Sequence, residues 1–234
     1  MQSQSTPLLD RNIFSLYEDT RYIDREIIGH RLAEELYNHR TSSARILALP
    51  TGGLIVAIEI ARVLRLPLDV LVAREFYIPE HPGMVAGGVS EEGGLCLNAA
   101  IFRLPDVKVP TVWQTAHQTL HQIKELAIEY RTGRPLPNLS RRSVILVDDG
   151  IGSGLAQLAA LQAVRRRHPR RCIVATPGGA VNALQHVAKQ ADVVVSLTWE
   201  TEPHQGHLAQ IEQPIPDDET VALFTQQQIG ALHS

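Results

Sequence analysis

Apolar positions along the chain alternate between two spacings, short unbroken runs that suit buried strands and three-to-four-residue repeats that suit helices lying on a core. Ile23 to Tyr37 carries Ile23, Ile27, Ile28, Leu32 and Leu36 among charged residues and is predicted as an amphipathic helix. Arg45 to Leu49 is a short strand that enters Pro50-Thr51-Gly52-Gly53, and Leu54 to Leu64 resumes the helical spacing. Leu68 to Ala73 reads as a strand covered on both faces. A polar helix with an apolar stripe follows at Thr115 to Tyr130, closed by Gly133 and two prolines. Ser143 to Val147 is β-branched and apolar, and runs through Asp148-Asp149-Gly150-Ile151-Gly152-Ser153-Gly154 into an alanine-rich helix reaching about Val164. Cys172 to Ala175 and Val193 to Leu197 complete the strands, with a helix at Val181 to Lys189 between them and a last helix starting near Thr220. Strands separated by helices predict an α/β fold, a doubly wound parallel sheet of about five strands.

Residues 1–234 read as a single domain, with 1–12 and 225–234 expected to fray. Tyr77 to Gly94 holds prolines and several glycines with few apolar residues in phase, so a flexible loop over about 75–95 is expected. The chain is 44% hydrophobic and 20% charged, enough to bury a core, which excludes disorder and fibres. A formal net charge of −3 lacks the positive field of a general nucleic-acid binder, so a nucleic-acid partner is not expected. Cys96 and Cys172 stand far apart without zinc-type spacing, which points to a reducing, cytoplasmic setting. No run reaches the length of a membrane span and the start lacks a signal-peptide pattern, so no membrane partner is expected.

Ligands in doubly wound sheets sit beyond the carboxyl ends of the strands, where both special turns fall. Thr51-Gly52-Gly53 and Gly152-Ser153-Gly154 each precede a helix, so each offers unpaired backbone N–H groups and the positive end of a helix dipole to an anion. Asp148 and Asp149 cannot bind phosphate but can accept from a sugar diol or help hold a divalent cation. A Gly-Gly turn alone is a common tight connection, and an acid pair alone is a common helix cap. The order strand, acid pair, glycine loop, helix points to a sugar carrying phosphate at both ends.

Val144 to Gly154, VILVDDGIGSG, resembles the phosphoribosyl pyrophosphate signature of type I phosphoribosyltransferases, and a group of predicted bacterial members reading roughly VILVDDGIATGAT. Leu47 to Ala57, LALPTGGLIVA, is similar to that group's LALPRGGVPVA, and DVLVARE to its DVLVVRK. The likeness spans about Phe14 to Phe224. It implies a core sheet with a small hood, binding of phosphoribosyl pyrophosphate with Mg²⁺, and transfer of the phosphoribosyl group to a nucleophile, usually a nucleobase nitrogen, through an oxocarbenium-like transition state. By the same resemblance Asp148 and Asp149 hold the ribose hydroxyls and help hold Mg²⁺, Gly150, Ile151, Gly152, Ser153 and Gly154 cradle the 5′-phosphate, and Thr51, Gly52 and Gly53 form the pyrophosphate loop. Arg74 is expected to reach the pyrophosphate, with Asp148 and Asp149 as its catalytic partners, and the segment around Gly87-Gly88 to close over the site. Resembling proteins are often dimers, so a homodimer is expected.

Three positions depart from the group's pattern: Thr51 stands for an arginine, Glu75 for a lysine after Arg74, and Ala156 for a second hydroxyl residue, while Leu155 is bulkier than the usual alanine. A hydrogen bond to a charged group contributes roughly 1.5–3 kcal/mol, so these losses leave phosphate binding better supported than catalysis. A non-catalytic nucleotide or sugar-phosphate sensor on the same fold is therefore the second functional expectation. VILVDD also resembles the acidic end of a signalling receiver's first strand, but no matching lysine strand follows. Lesser candidates are His117 and His121 as an i, i+4 metal pair, His204 and His207 near an acceptor pocket, Trp113 and Trp199 as packing residues, and the basic run Arg165-Arg166-Arg167.

Overall fold

The computed structural model describes residues 13–14, 25–199 and 216–232. Strand alternation divides its core. In β2 (Arg45–Ala48), Ile46 and Ala48 face one side while Leu47 faces the other, and in β7 (Ser143–Val147) Ile145 and Val147 oppose Val144 and Leu146 in the same way. The first side is covered by α1 (Arg25–Glu35), α2 (Gly52–Leu64), α3 (Val109–Arg131) and α6 (Asp217–Leu232), through residues such as Leu32, Ile60, Ile123 and Phe224. The second is covered by α4 (Leu155–Arg165) and α5 (Val181–Ala188), through Leu158, Leu161, Leu184 and Val187. Fully burying one such side chain is worth about 1.5–3 kcal/mol, so two populated faces make the sheet the stable frame of the molecule.

The parallel sheet runs β1 (Ile13–Phe14), β9 (Val193–Ser196), β8 (Arg171–Thr176), β7, β2, β3 (Leu68–Val70). Five strands form its body, as predicted, and β1 adds a two-residue edge. From β2 the chain winds outward to β3, whereas β7, β8 and β9 wind away on the other side. The strand order therefore reverses between β2 and β7, and the two turns that leave these neighbours open onto one crevice.

The segment expected as a flexible loop is a second sheet. β4 (Ala73–Ile78), β5 (His81–Ser90) and β6 (Leu95–Leu97) pair antiparallel. The glycines read as signs of mobility are sites of close approach: a Cβ on Gly88 would lie 2.2 Å from the Leu155 carbonyl oxygen, and one on Gly94 1.8 Å from that of Ala159. β5 and the turn after it thus lie directly against α4. A buried ion pair fastens α3 to the same region. The Arg131 guanidinium pairs with Glu91 and donates to the Val70 carbonyl at 2.8 Å, while Glu91 accepts from Val72 N at 2.9 Å.

Two further expectations change. α3 begins at Val109, with Pro110 in its first turn where a missing N–H costs nothing. The tail expected to fray after Phe224 is helical to Leu232, anchored where the Tyr130 hydroxyl meets Thr220 Oγ1 at 2.6 Å; burial pushes the Tyr130 phenol up to about 12. Residues 1–12, and with them the other fraying expectation, lie outside the described residues.

Candidate functional site

Two turns meet at the switch point because adjacent strands end together: Ala48 is in register with Val147, and Leu49 N donates to Val147 O at 2.8 Å. A Cβ on Gly53 would stand 2.9 Å from Asp148 Cα and from Val147 O, and one on Gly52 would stand 1.6 Å from Asp149 Oδ2. Both glycines are required because the acid pair passes where side chains would be. Thr51 precedes α2 without a side-chain cap, and the Pro50–Thr51 peptide is cis.

The acids differ in their surroundings. Asp148 accepts from Asp149 N at 2.8 Å and from Gln157 Nε2, and burial, reinforced by the Asp149 charge beside it, pushes its carboxyl well above the usual range. Asp149 accepts from Arg25 Nε at 3.1 Å and Nη2 at 3.0 Å. Arg25 opens α1 and places a guanidinium between the two turns, 2.8 Å from where a Cβ on Gly52 would be.

Beyond the acids, Ile151 is held by the turn after β8. Its N–H donates to Gly178 O at 2.9 Å and its carbonyl accepts from Ala180 N at 3.3 Å. This leaves the N–H groups of Gly150, Gly152, Ser153 and Gly154 without an acceptor among the described residues. Gly154 has φ +81°, a left-handed conformation that lets α4 start immediately after the loop. Ser153 Oγ accepts from Leu155 N at 3.1 Å and donates to the Glu75 carboxylate.

Thr51, Gly52, Gly53, Asp148, Asp149 and Gly150 to Gly154 are thus gathered in one crevice. Arg74 is not gathered with them: strand alternation turns it away from Glu75, and both Asp217 carboxylate oxygens lie 2.5 Å from its Nη2, at the head of α6. Glu75 is the β4 side chain that reaches the loop before α4, through Ser153. Arg25, Gln157 and the Gly178-Gly179 turn were missed in the sequence. Gln157 sits in the first turn of the helix after the loop and was findable by spacing; Arg25, 124 residues from Asp149, carried no signal.

The lesser candidates resolve into local contacts. His121 Nδ1 lies 3.5 Å from Glu125 Oε1, and Trp113, expected as a packing residue, is 45% exposed beside His117. Trp199 is likewise 40% exposed. Of the basic run, Arg165 pairs with Asp192 at 3.0 Å and Arg167 with Glu92. His204 and His207 lie outside the described residues. No helix among the described residues is long and apolar enough to cross a membrane.

An open parallel sheet whose order reverses between two glycine turns defines an α/β protein of the class that takes its ligand at the switch point. Residues 20–210 match the model of the phosphoribosyl transferase domain, and the chain belongs to that family. It is 33% identical over 174 residues to Mycobacterium tuberculosis proteins whose names place them among phosphoribosyl transferases, a match covering 74% of this chain and 39% of theirs. The chain therefore spans about two fifths of the length of those curated relatives. The crystal structure of TT1426 from Thermus thermophilus superposes with a TM-score of 0.70 at 30% identity, over 89% of this chain and 99% of that one. A protein of Aquifex aeolicus shares the fold at a TM-score of 0.50 and 8% identity, over 80% of this chain and 87% of that one.

Proposed function

We propose that the crevice binds a ribose bearing phosphate at both ends, of which phosphoribosyl pyrophosphate is the type, and that the chain transfers its phosphoribosyl group to a nucleobase-like acceptor. The observation that carries this reading is the packing of Gly52 against Asp149, which puts a helix-opening loop, a carboxylate for the sugar diol and a second helix-opening loop in one place. In the transfer, the bond from the anomeric carbon to the pyrophosphate oxygen breaks, a carbon–nitrogen bond forms, and the acceptor's N–H proton leaves to solvent. Catalysis then depends on receiving the departing pyrophosphate and on aligning the reactants. The N–H groups of Thr51 to Gly53 receive the pyrophosphate, those of Gly150 to Gly154 hold the 5′-phosphate, and Asp149 orients the ribose. Arg25 offers, from α1, a cation close to the place where Thr51 has none.

Among the described residues no three His, Cys, Asp or Glu side chains converge as a metal cage. Magnesium is commonly held by one or two carboxylates together with substrate phosphates, so Asp148 and Asp149 fit it in that form. When bound it would offset the charge on the pyrophosphate. A homodimer and a cytoplasmic setting belong to the same reading, and light scattering and cell fractionation check them.

Glu75 favours a second reading. Its carboxylate already occupies the Ser153 hydroxyl, so an incoming phosphate must displace a like charge. A protein of this construction suits a sensor or regulator that binds a phosphorylated ribose or nucleotide without turning it over. Incubation with phosphoribosyl pyrophosphate, Mg²⁺ and a panel of nucleobases separates the two. Pyrophosphate release supports transfer, and calorimetric binding without release supports the regulator. Absence of binding to every phosphorylated sugar and nucleotide overturns both.

A further inference from the structure

At the opposite end of the parallel sheet, below the amino ends of β2 and β3, lies a cavity of about 700 Å³. Arg45 from the start of β2, Arg62 and Arg65 from the end of α2, and Arg134 after α3 line it, with Asp69 as the acid among its lining residues. The volume falls within the range of small-molecule sites, roughly 300–1,000 Å³.

Two of these cations have no partner for their guanidinium groups among the described residues. Arg45 Nε is buried and has no hydrogen-bond partner among the described residues, a state that native proteins seldom leave unexplained. The Arg65 side chain makes no hydrogen bond or ion pair among the described residues, and its backbone occupies the left-handed cap of α2, φ +53°, where glycine is the usual residue. Arg134 lies 3.9 Å from Asp69, too far for a good hydrogen bond, and Arg62 is paired with Glu59. Several elements thus bring guanidinium groups to one hollow without supplying matching carboxylates. Guanidinium forks match phosphate oxygens in pairs.

We propose that this cavity is a second binding site, separate from the switch-point crevice, for a phosphorylated small molecule of up to nucleotide size. Its phosphate oxygens are received by Arg45, Arg65 and Arg134. The site does not depend on the transferase reading, because it shares no residue with the crevice.

The test uses the full chain without Mg²⁺ and two probes, inorganic pyrophosphate and a nucleoside diphosphate, followed by amide shifts and calorimetry. Shifts at Leu66, Leu68 and Gln228 are expected. Tighter binding of the nucleoside diphosphate identifies a nucleotide as the occupant, and equal binding identifies the phosphates alone. Arg65→Asn and Arg134→Gln, both at exposed positions, are each expected to weaken binding about tenfold, whereas Asp149→Asn leaves this site unchanged. Affinity should also fall as salt is raised. Shifts confined to residues 51–53 and 150–154, or unaltered affinity in both arginine variants, overturn the proposal. Arg45→Met adds a check independent of titration: it should raise the melting temperature of the free protein and reduce the further rise that pyrophosphate gives, leaving only the part due to the crevice. A pyrophosphate-induced rise as large in Arg45→Met as in the unaltered protein counts against the site.

Discussion

The carboxyl and amino ends of the parallel sheet present contrasting groups to the solvent. At the carboxyl end the side chains are largely acidic, Asp148, Asp149 and Glu75, and the groups free to meet phosphate are backbone N–H donors of two helix-opening turns. At the amino end the free groups are guanidinium side chains around a hollow, with helix α2 ending there and presenting its negative pole. Backbone donors need no particular residue beyond glycine, so the first end keeps its main-chain donors with Thr at position 51. The second end has no such reserve, because in the proposed site every arginine taken away would leave a phosphate oxygen without its donor. The comparison teaches that a phosphate site built from main chain tolerates side-chain drift, whereas one built from arginines does not.

The largest effect should come from Gly52→Ala. Its Cβ must push Asp149 from Arg25, removing at least two charged hydrogen bonds, so sugar-phosphate binding at the crevice is expected to weaken about a hundredfold or more. Calorimetry checks this, and wild-type affinity would mean that the two turns do not share a ligand. Asp149→Asn retains the fold by circular dichroism but costs about tenfold in binding of phosphoribosyl pyrophosphate through loss of a charged acceptor. Equal affinity would remove the ribose role of this acid.

Glu75→Gln sharpens the comparison in the other direction. Taking a negative charge from the Ser153 hydroxyl should tighten phosphate binding by about threefold, with little effect at the arginine cavity. Weaker binding would show that Glu75 itself contacts the ligand. The smallest effect concerns Asp69. Burial is the largest influence on its carboxyl and raises it above the ordinary value, against Val70 N–H and Arg131, which lower it. The folded state therefore holds this proton more firmly than the unfolded chain. The stability it contributes is present below the ordinary carboxylate value and is lost as pH rises through the range just above it. Asp69→Asn should flatten that decline in a melting-temperature profile while modestly strengthening pyrophosphate binding at the cavity. A profile identical to wild type would mean that Asp69 does not titrate differently on folding.

Much of the crevice was legible because its parts are local. A strand, an acid pair, a glycine turn and a helix follow one another within 22 residues from Ser143 to Val164, and their order carries the geometry. The segment expected as a flexible loop differed for the opposite reason. Gly87, Gly88 and Gly94 look like hinges in sequence, and what makes them necessary is the backbone of β6 and of α4 pressed against them.

Periodicity and turn chemistry, both properties of neighbours along the chain, determined the parallel α/β frame and the two glycine turns that leave it. Tertiary structure alone decided that Arg25 meets Asp149, that Glu75 rather than Arg74 faces Ser153, and that arginines from distant segments share one cavity. Those outcomes depend on which face a strand turns to which helix and on contacts between residues far apart in the chain. Long-range packing sets them, and no local pattern encodes it.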